Sequence, residues 1–159
     1  MKKAKNPVIE YMEALISFRN GGSLKSLKDW KYMCLEELVL KKGREFIEKI
    51  PYWEELLPAK ECFKNALEIT RKNKDLIYVE GFAQPKGLIT LLHAWCSTKD
   101  GKVIDPTWEQ GEFYYGIPFS TEYVLETVLK REKYGILDNW EMGFPLLKKG
   151  LKKCFLVKI

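Results

Sequence analysis

The glycine at position 101 constrains this chain more than any other single residue. It ends the segment Lys99-Asp100-Gly101, which divides an apolar run, Leu88 to Ser97, from another that starts at Lys102. A three-residue loop with glycine in the left-handed position closes a bulged hairpin, and such a turn pairs Thr98 with Lys102. Counting back along both strands sets Trp95 opposite Asp105 and His93 opposite Thr107. Side chains alternate with period two, so His93, Trp95 and Asp105 share one face, with His93 diagonal to Asp105. A two-residue loop would reverse the parity and send Asp105 to the other face.

The segments before this hairpin read as helical. Val8, Met12, Leu15 and Ile16 carry helical spacing up to a break at Gly21-Gly22. Ser23 is placed to cap a second helical stretch through Leu24, Leu27, Trp30, Cys34, Leu38 and Val39, which Gly43 interrupts or ends. Pro58 fits the first turn of a third helix, on which Ala59, Cys62, Phe63, Ala66, Leu67 and Thr70 share a face. After Lys72-Asn73-Lys74-Asp75 the period changes. Leu76 to Ala83, Leu88 to Ser97 and Lys102 to about Trp108 read as strands. Ser120 caps a helix through Val124, Leu125, Val128 and Leu129, and Cys154-Phe155-Leu156-Val157 reads as a final strand. The expected class is α+β, with a helical N-terminal half packed on an antiparallel sheet. At 159 residues a single domain is expected over 1–159, with parts at 1–57 (helical), 58–118 (core) and 119–159 (helix and tail).

Charge and cysteine usage exclude several functions. The net charge of +5 is mild, and only Arg19, Arg44, Arg71 and Arg131 are arginines among the 27 basic residues. Lysine is a point charge rather than a base-reading fork, and the excess gathers at the chain ends, which argues against a nucleic-acid partner. The cysteines at 34, 62, 96 and 154 form no CxxC pair, so neither a zinc ribbon nor a disulfide framework is expected. No apolar run approaches the roughly 20 residues of a membrane span, and Glu10, Glu13 and Arg19 interrupt any signal-peptide core. A soluble, reduced cytoplasmic protein is expected, with no membrane partner and no call for a cofactor or metal.

The chemistry-bearing residues are Cys62, the sole histidine His93, and Asp105. A thiol nucleophile needs a base, and the base needs a third group to orient it. Near the start of a helix, Cys62 would feel the positive end of the macrodipole, which lowers a thiol from about 8.5. The plainer reading makes Cys62 and His93 ordinary core residues and Asp105 a turn former before Pro106. As metal ligands the three would lack any close pair.

The stretch from about Cys62 to Tyr115 resembles the core of the transglutaminase-like superfamily, within the papain-like cysteine fold. The resemblance is carried by a cysteine opening a helix with Ala66 and Leu67, by Tyr78-Val79-Glu80-Gly81-Phe82, by His93-Ala94-Trp95 and by Asp105-Pro106-Thr107. It implies Cys62 as nucleophile, His93 as base and Asp105 as orienter. The chain departs from the pattern at Lys60, where the family usually has glycine. It also has no glutamine in Pro51 to Leu57 to donate to an oxyanion hole, leaving Tyr52 or Trp53 as candidates. The implied activity is a thiol-dependent acyl hydrolase or acyl transferase on a peptide, protein or small amide. The alternative is a non-catalytic binding protein with the same fold.

Overall fold

The computed structural model describes residues 5–21 and 29–159. Within them the chain is mixed α+β, built on a five-stranded antiparallel sheet. In chain order the elements are α1 (Pro7–Gly21), α2 (Leu35–Lys42), β1 (Arg44–Phe46), α3 (Cys62–Lys72), β2 (Ile77–Pro85), β3 (Leu91–Ser97), β4 (Val103–Ile104), β5 (Gly111–Phe119), α4 (Thr121–Arg131) and α5 (Pro145–Lys149). The strand order is β1-β5-β2-β3-β4.

The hairpin forms with the register that Gly101 demands. Gly101 is left-handed at φ 85°, and Cys96 pairs with Ile104 and Ser97 with Val103. Strand β4 is much shorter than its apolar sequence suggests, because the chain turns away after Ile104. The segment before Pro51 covers the far edge of β4 instead. Ile50 N–H donates to Val103 O at 2.8 Å and Val103 N–H to Glu48 O at 2.8 Å.

Period-two alternation divides the core into two layers. On one face, Tyr78, Phe82, Ala94, Cys96 and Ile117 pack against Val8 and Met12 of α1, Leu38 and Val39 of α2, and Ala66, Leu67 and Ile69 of α3. On the other face, Val79, Ala83 and Trp95 form a smaller cluster with Phe46, Val103 and Tyr114. Gly81 and Gly116, paired directly across β2 and β5, make room there. A Cβ at Gly116 would lie 2.6 Å from the Trp95 ring, and one at Gly81 would lie 2.3 Å from Tyr115 O.

Several expectations require correction. The third helix begins at Cys62, not near Pro58, so Pro58 and Ala59 precede it and Cys62 is its first residue. The second helix is only the eight residues from Leu35, with Trp30 and Cys34 before it; Gly22, Ser23, Leu24 and Leu27 lie outside the described residues. The N-terminal part is not purely helical, because β1 pairs with β5. The aromatic stretch Gly111–Phe119, for which no element was expected, is a strand between β1 and β2, so it lies inside the sheet rather than at an edge. The tail forms a 3₁₀ turn at Lys153–Phe155 and a single bridge from Leu156 to Phe119 rather than a strand. Ser120 does cap α4, accepting from Tyr123 N–H at 3.1 Å.

Lys60 adopts a backbone conformation that favours glycine. Its φ is 67°, a left-handed conformation two residues before Cys62. A side chain there costs roughly 1–2 kcal/mol, which glycine avoids at some cost in unfolded-chain entropy. Lys60→Gly should therefore stabilise the protein by about 0.5–1 kcal/mol in urea unfolding. A loss of stability would show that the Lys60 side chain earns its strained backbone through contacts of its own.

Candidate active site

Cys62 opens α3, His93 lies within β3 and Asp105 follows β4, and of the three only His93 and Asp105 are hydrogen-bonded to each other. Thr98 N–H donates to Lys102 O at 3.0 Å, so the even-numbered amides of β3 point toward β4. Strand β4 stops after Ile104, which leaves the Ala94 amide without a strand partner on that side. Cys62, the first residue of α3, lies near enough to this amide for it to pull against the rise of the thiol. Helix α3 itself packs on the Ala94 and Cys96 face, where Cys96 Sγ donates to Ala66 O at 3.6 Å. His93 belongs to the opposite face. Cys62 thus belongs to a helix on the opposite face of β3 from the His93 side chain, and no hydrogen bond joins the thiol to the imidazole.

The histidine and aspartate are in direct contact. His93 Nε2 lies 2.8 Å from Asp105 Oδ2, with His93 0% and Asp105 1% exposed. A carboxylate accepts, so a ring proton sits on Nε2, and in the neutral form of the imidazole Nδ1 carries the lone pair. Nδ1 is buried and has no hydrogen-bond partner among the described residues. Trp108 stacks on the imidazole at 3.6 Å between ring centroids and 6° between planes.

Asp105 is held from all sides. Its Oδ1 accepts from the Thr107 and Trp108 amides, each at 2.9 Å, and its Oδ2 also accepts from Tyr114 Oη at 2.8 Å. Burial pushes the carboxyl up, but the His93 hydrogen bond and charge and these two amides outweigh it and hold it below the usual carboxylate range. The turn after β4 is tied down by Lys49, whose Nζ donates to the carbonyls of Trp108 at 2.7 Å, Glu109 at 2.9 Å and Gly111 at 3.3 Å. Asn65, one turn after Cys62, joins the two halves of the site. Its Nδ2 donates to Pro58 O at 2.9 Å and Thr107 Oγ1 at 3.0 Å.

Cys62 is 8% exposed, and burial pushes its thiol up to about 11. The Ala94 and Phe63 amides oppose that rise, while the carboxylates of Glu80 and Asp105 add to it. This overturns the expectation of a depressed thiol: at this helix terminus, desolvation outweighs the macrodipole. Tyr52 Oη donates to Glu54 at 3.3 Å and Trp53 is exposed, so neither is committed to Cys62. The first intrahelical bond is Asn65 N–H to Glu61 O at 2.8 Å, which leaves the Cys62 amide among the orphan donors of the helix start. Among the described residues no group of three or more His, Cys, Asp and Glu is placed to hold a metal ion. No helix there is long and apolar enough to cross a membrane.

Asn65 and Lys49 carry no motif that marks them, and Glu80, though inside the Tyr78–Phe82 segment, is given no role by it. Glu80 had one usable signal, a lone acid within the apolar run Ile77 to Ala83. Compared with known proteins, the chain matches no family model, no curated protein and no solved structure.

Proposed function

We propose that the protein is a thiol-dependent acyl hydrolase or acyl transferase acting on an amide or ester bond through Cys62, His93 and Asp105. One observation carries this reading. A buried His93–Asp105 pair leaves the other ring nitrogen, Nδ1, without a partner, and Cys62 opens the helix packed against the strand that carries His93. The arrangement supports a papain-like, transglutaminase-like core, with a cysteine opening a helix laid against the antiparallel sheet that carries the histidine.

The raised thiol decides the form of the chemistry. A neutral Cys62 does not attack as a preformed thiolate, so its proton passes to His93 Nδ1 as sulfur bonds to the carbonyl carbon. Asp105 stabilises the imidazolium that forms. The tetrahedral intermediate then expels an amine or alcohol, which takes the proton back from His93. Water or an amine attacks the thioester, and Cys62 is restored as a thiol. A peptide, a protein or a small amide fits this scheme.

The second reading, a non-catalytic binding protein, is favoured by the burial of the thiol and its rise to about 11. A chemical comparison separates the two. Simple alkylation of Cys62 should climb about tenfold per pH unit toward pH 11, because only thiolate reacts. Acylation by 4-nitrophenyl acetate near neutral pH should nevertheless favour Cys62 over the exposed Cys154, because His93 takes the proton during attack. His93→Gln should slow Cys62 acylation by about 100-fold or more. If Cys62 is acylated no faster than Cys154, or ignores the His93 change, the binding-protein reading replaces the enzyme.

A further inference from the structure

Beside the His93–Asp105 pair lies an open cavity of about 350 Å³. Tyr52, Leu56 and Pro51 form one wall, Trp108 forms another, and Asp105 lies at its floor. Trp108 is shared with the site already described, since it also stacks on His93. Lys49, Glu54 and Glu109 complete the lining.

The hydrogen-bond inventory decides what this cavity can hold. Lys49 has three donors, and backbone carbonyls of Trp108, Glu109 and Gly111 take them all. Nothing is left on its ammonium for an anionic ligand. Asp105 is equally committed, with His93, Tyr114 and two amides on its oxygens. The charged groups still open to a ligand are the exposed carboxylates of Glu54 and Glu109. Aromatic faces at Tyr52 and Trp108 stand with them, and such faces attract cations. With Lys49 and Asp105 offsetting each other, the cavity presents a net negative, aromatic-walled opening.

We propose that this cavity recognises a basic group, the ammonium or guanidinium of a substrate residue next to the carbonyl under attack. As a substrate subsite it rests on the acyl-transfer reading; as a binding site for a cation it stands on the cavity alone. The aliphatic stem of a lysine or arginine would lie against Leu56 and the aromatic walls, with its charge at the two carboxylates.

Two measurements on the intact protein test it. Among 4-nitrophenyl esters of N-acetylated arginine, norleucine and glutamate, the arginine ester should exceed the norleucine ester in kcat/KM by about tenfold. The double change E54Q/E109Q should bring that ratio to about twofold, and added salt should lower it in the unchanged protein. Independently, n-butylguanidinium should shift the Trp108 indole NMR signal, assigned with Trp108→Phe, while butyrate should not. Cation binding without ester turnover would leave the cavity assignment standing and remove the enzyme. Turnover with no arginine preference, or a preference that survives E54Q/E109Q, would overturn the subsite and leave the enzyme intact. A Trp108 signal unmoved by the cation, or moved as much by butyrate, would overturn the site itself.

Discussion

Replacing Asp105 with asparagine should slow acylation of Cys62 roughly 10⁴-fold while the protein stays folded. The reason lies in which lobe of the carboxylate is occupied by what. Oδ1 accepts two backbone amides, from Thr107 and Trp108, so in the variant the amide oxygen must take that position. The NH2 group is then left facing His93 Nε2, where Oδ2 had accepted at 2.8 Å. Two donors cannot share that contact, so the ring proton is driven to Nδ1, and the lone pair that should receive the Cys62 proton disappears. Nitrogen NMR of the His93 ring would report the tautomer directly, alongside the rate of acylation by 4-nitrophenyl acetate. An unchanged tautomer, or a rate within about tenfold of the original, would remove Asp105 from the site.

Glu80 should prove the most costly polar residue to lose from the core. It is fully buried on β2, where Oε1 accepts from the Ile136 and Leu137 amides at 3.0 and 2.8 Å. Its Oε2 accepts from Ile136 again at 2.8 Å and from Tyr78 Oη at 2.7 Å. The carboxylate thus fastens the loop after α4 to the sheet. That loop runs close to the start of α3, since a Cβ at Gly135 would lie 3.5 Å from the Phe63 ring. Burial pushes the carboxyl up, against the pull of these donors, and its charge adds to the rise of the Cys62 thiol. Glu80→Leu would strand three buried donors and should cost about 4 kcal/mol in urea unfolding. Glu80→Gln keeps an oxygen for both amides and lets the tyrosine hydroxyl accept from its NH2, so it should cost about 1 kcal/mol. Equal losses for the two variants would mean that Glu80 acts by filling space rather than by accepting hydrogen bonds.

Local chemistry made much of the sheet legible. Gly101 and the alternation around it define the β3–β4 register, since a bulged turn admits one pairing and period two assigns the faces. Ser120 marks the start of α4 because a hydroxyl before a helix satisfies an orphan amide. The elements that local pattern does not reveal are those whose neighbours are distant. The aromatic stretch at Gly111–Phe119 carries no turn that announces its partners, yet it lies between β1 and β2. Likewise the tail from Cys154 to Val157 has strand-like composition but meets only one bridging partner. Pro58 looked like a helix start, but the left-handed Lys60 stands between it and Cys62.

For the candidate site, sequence alone determined the residue types, their order and the hairpin parity that turns His93 toward Asp105. Each depends on spacing within a few residues, where turn geometry and strand alternation leave little choice. Only the tertiary structure decided where Cys62 stands relative to them. That depends on β4 ending at Ile104, on α3 packing against the Ala94 and Cys96 face of β3, and on Asn65 and Lys49 fastening separate segments together. It also decided the state of the thiol. A helix terminus in water would lower it, but in this packed core desolvation and two nearby carboxylates raise it. Burial is a property of what surrounds a residue, and those surroundings are assembled from chain segments that no local pattern can bring together.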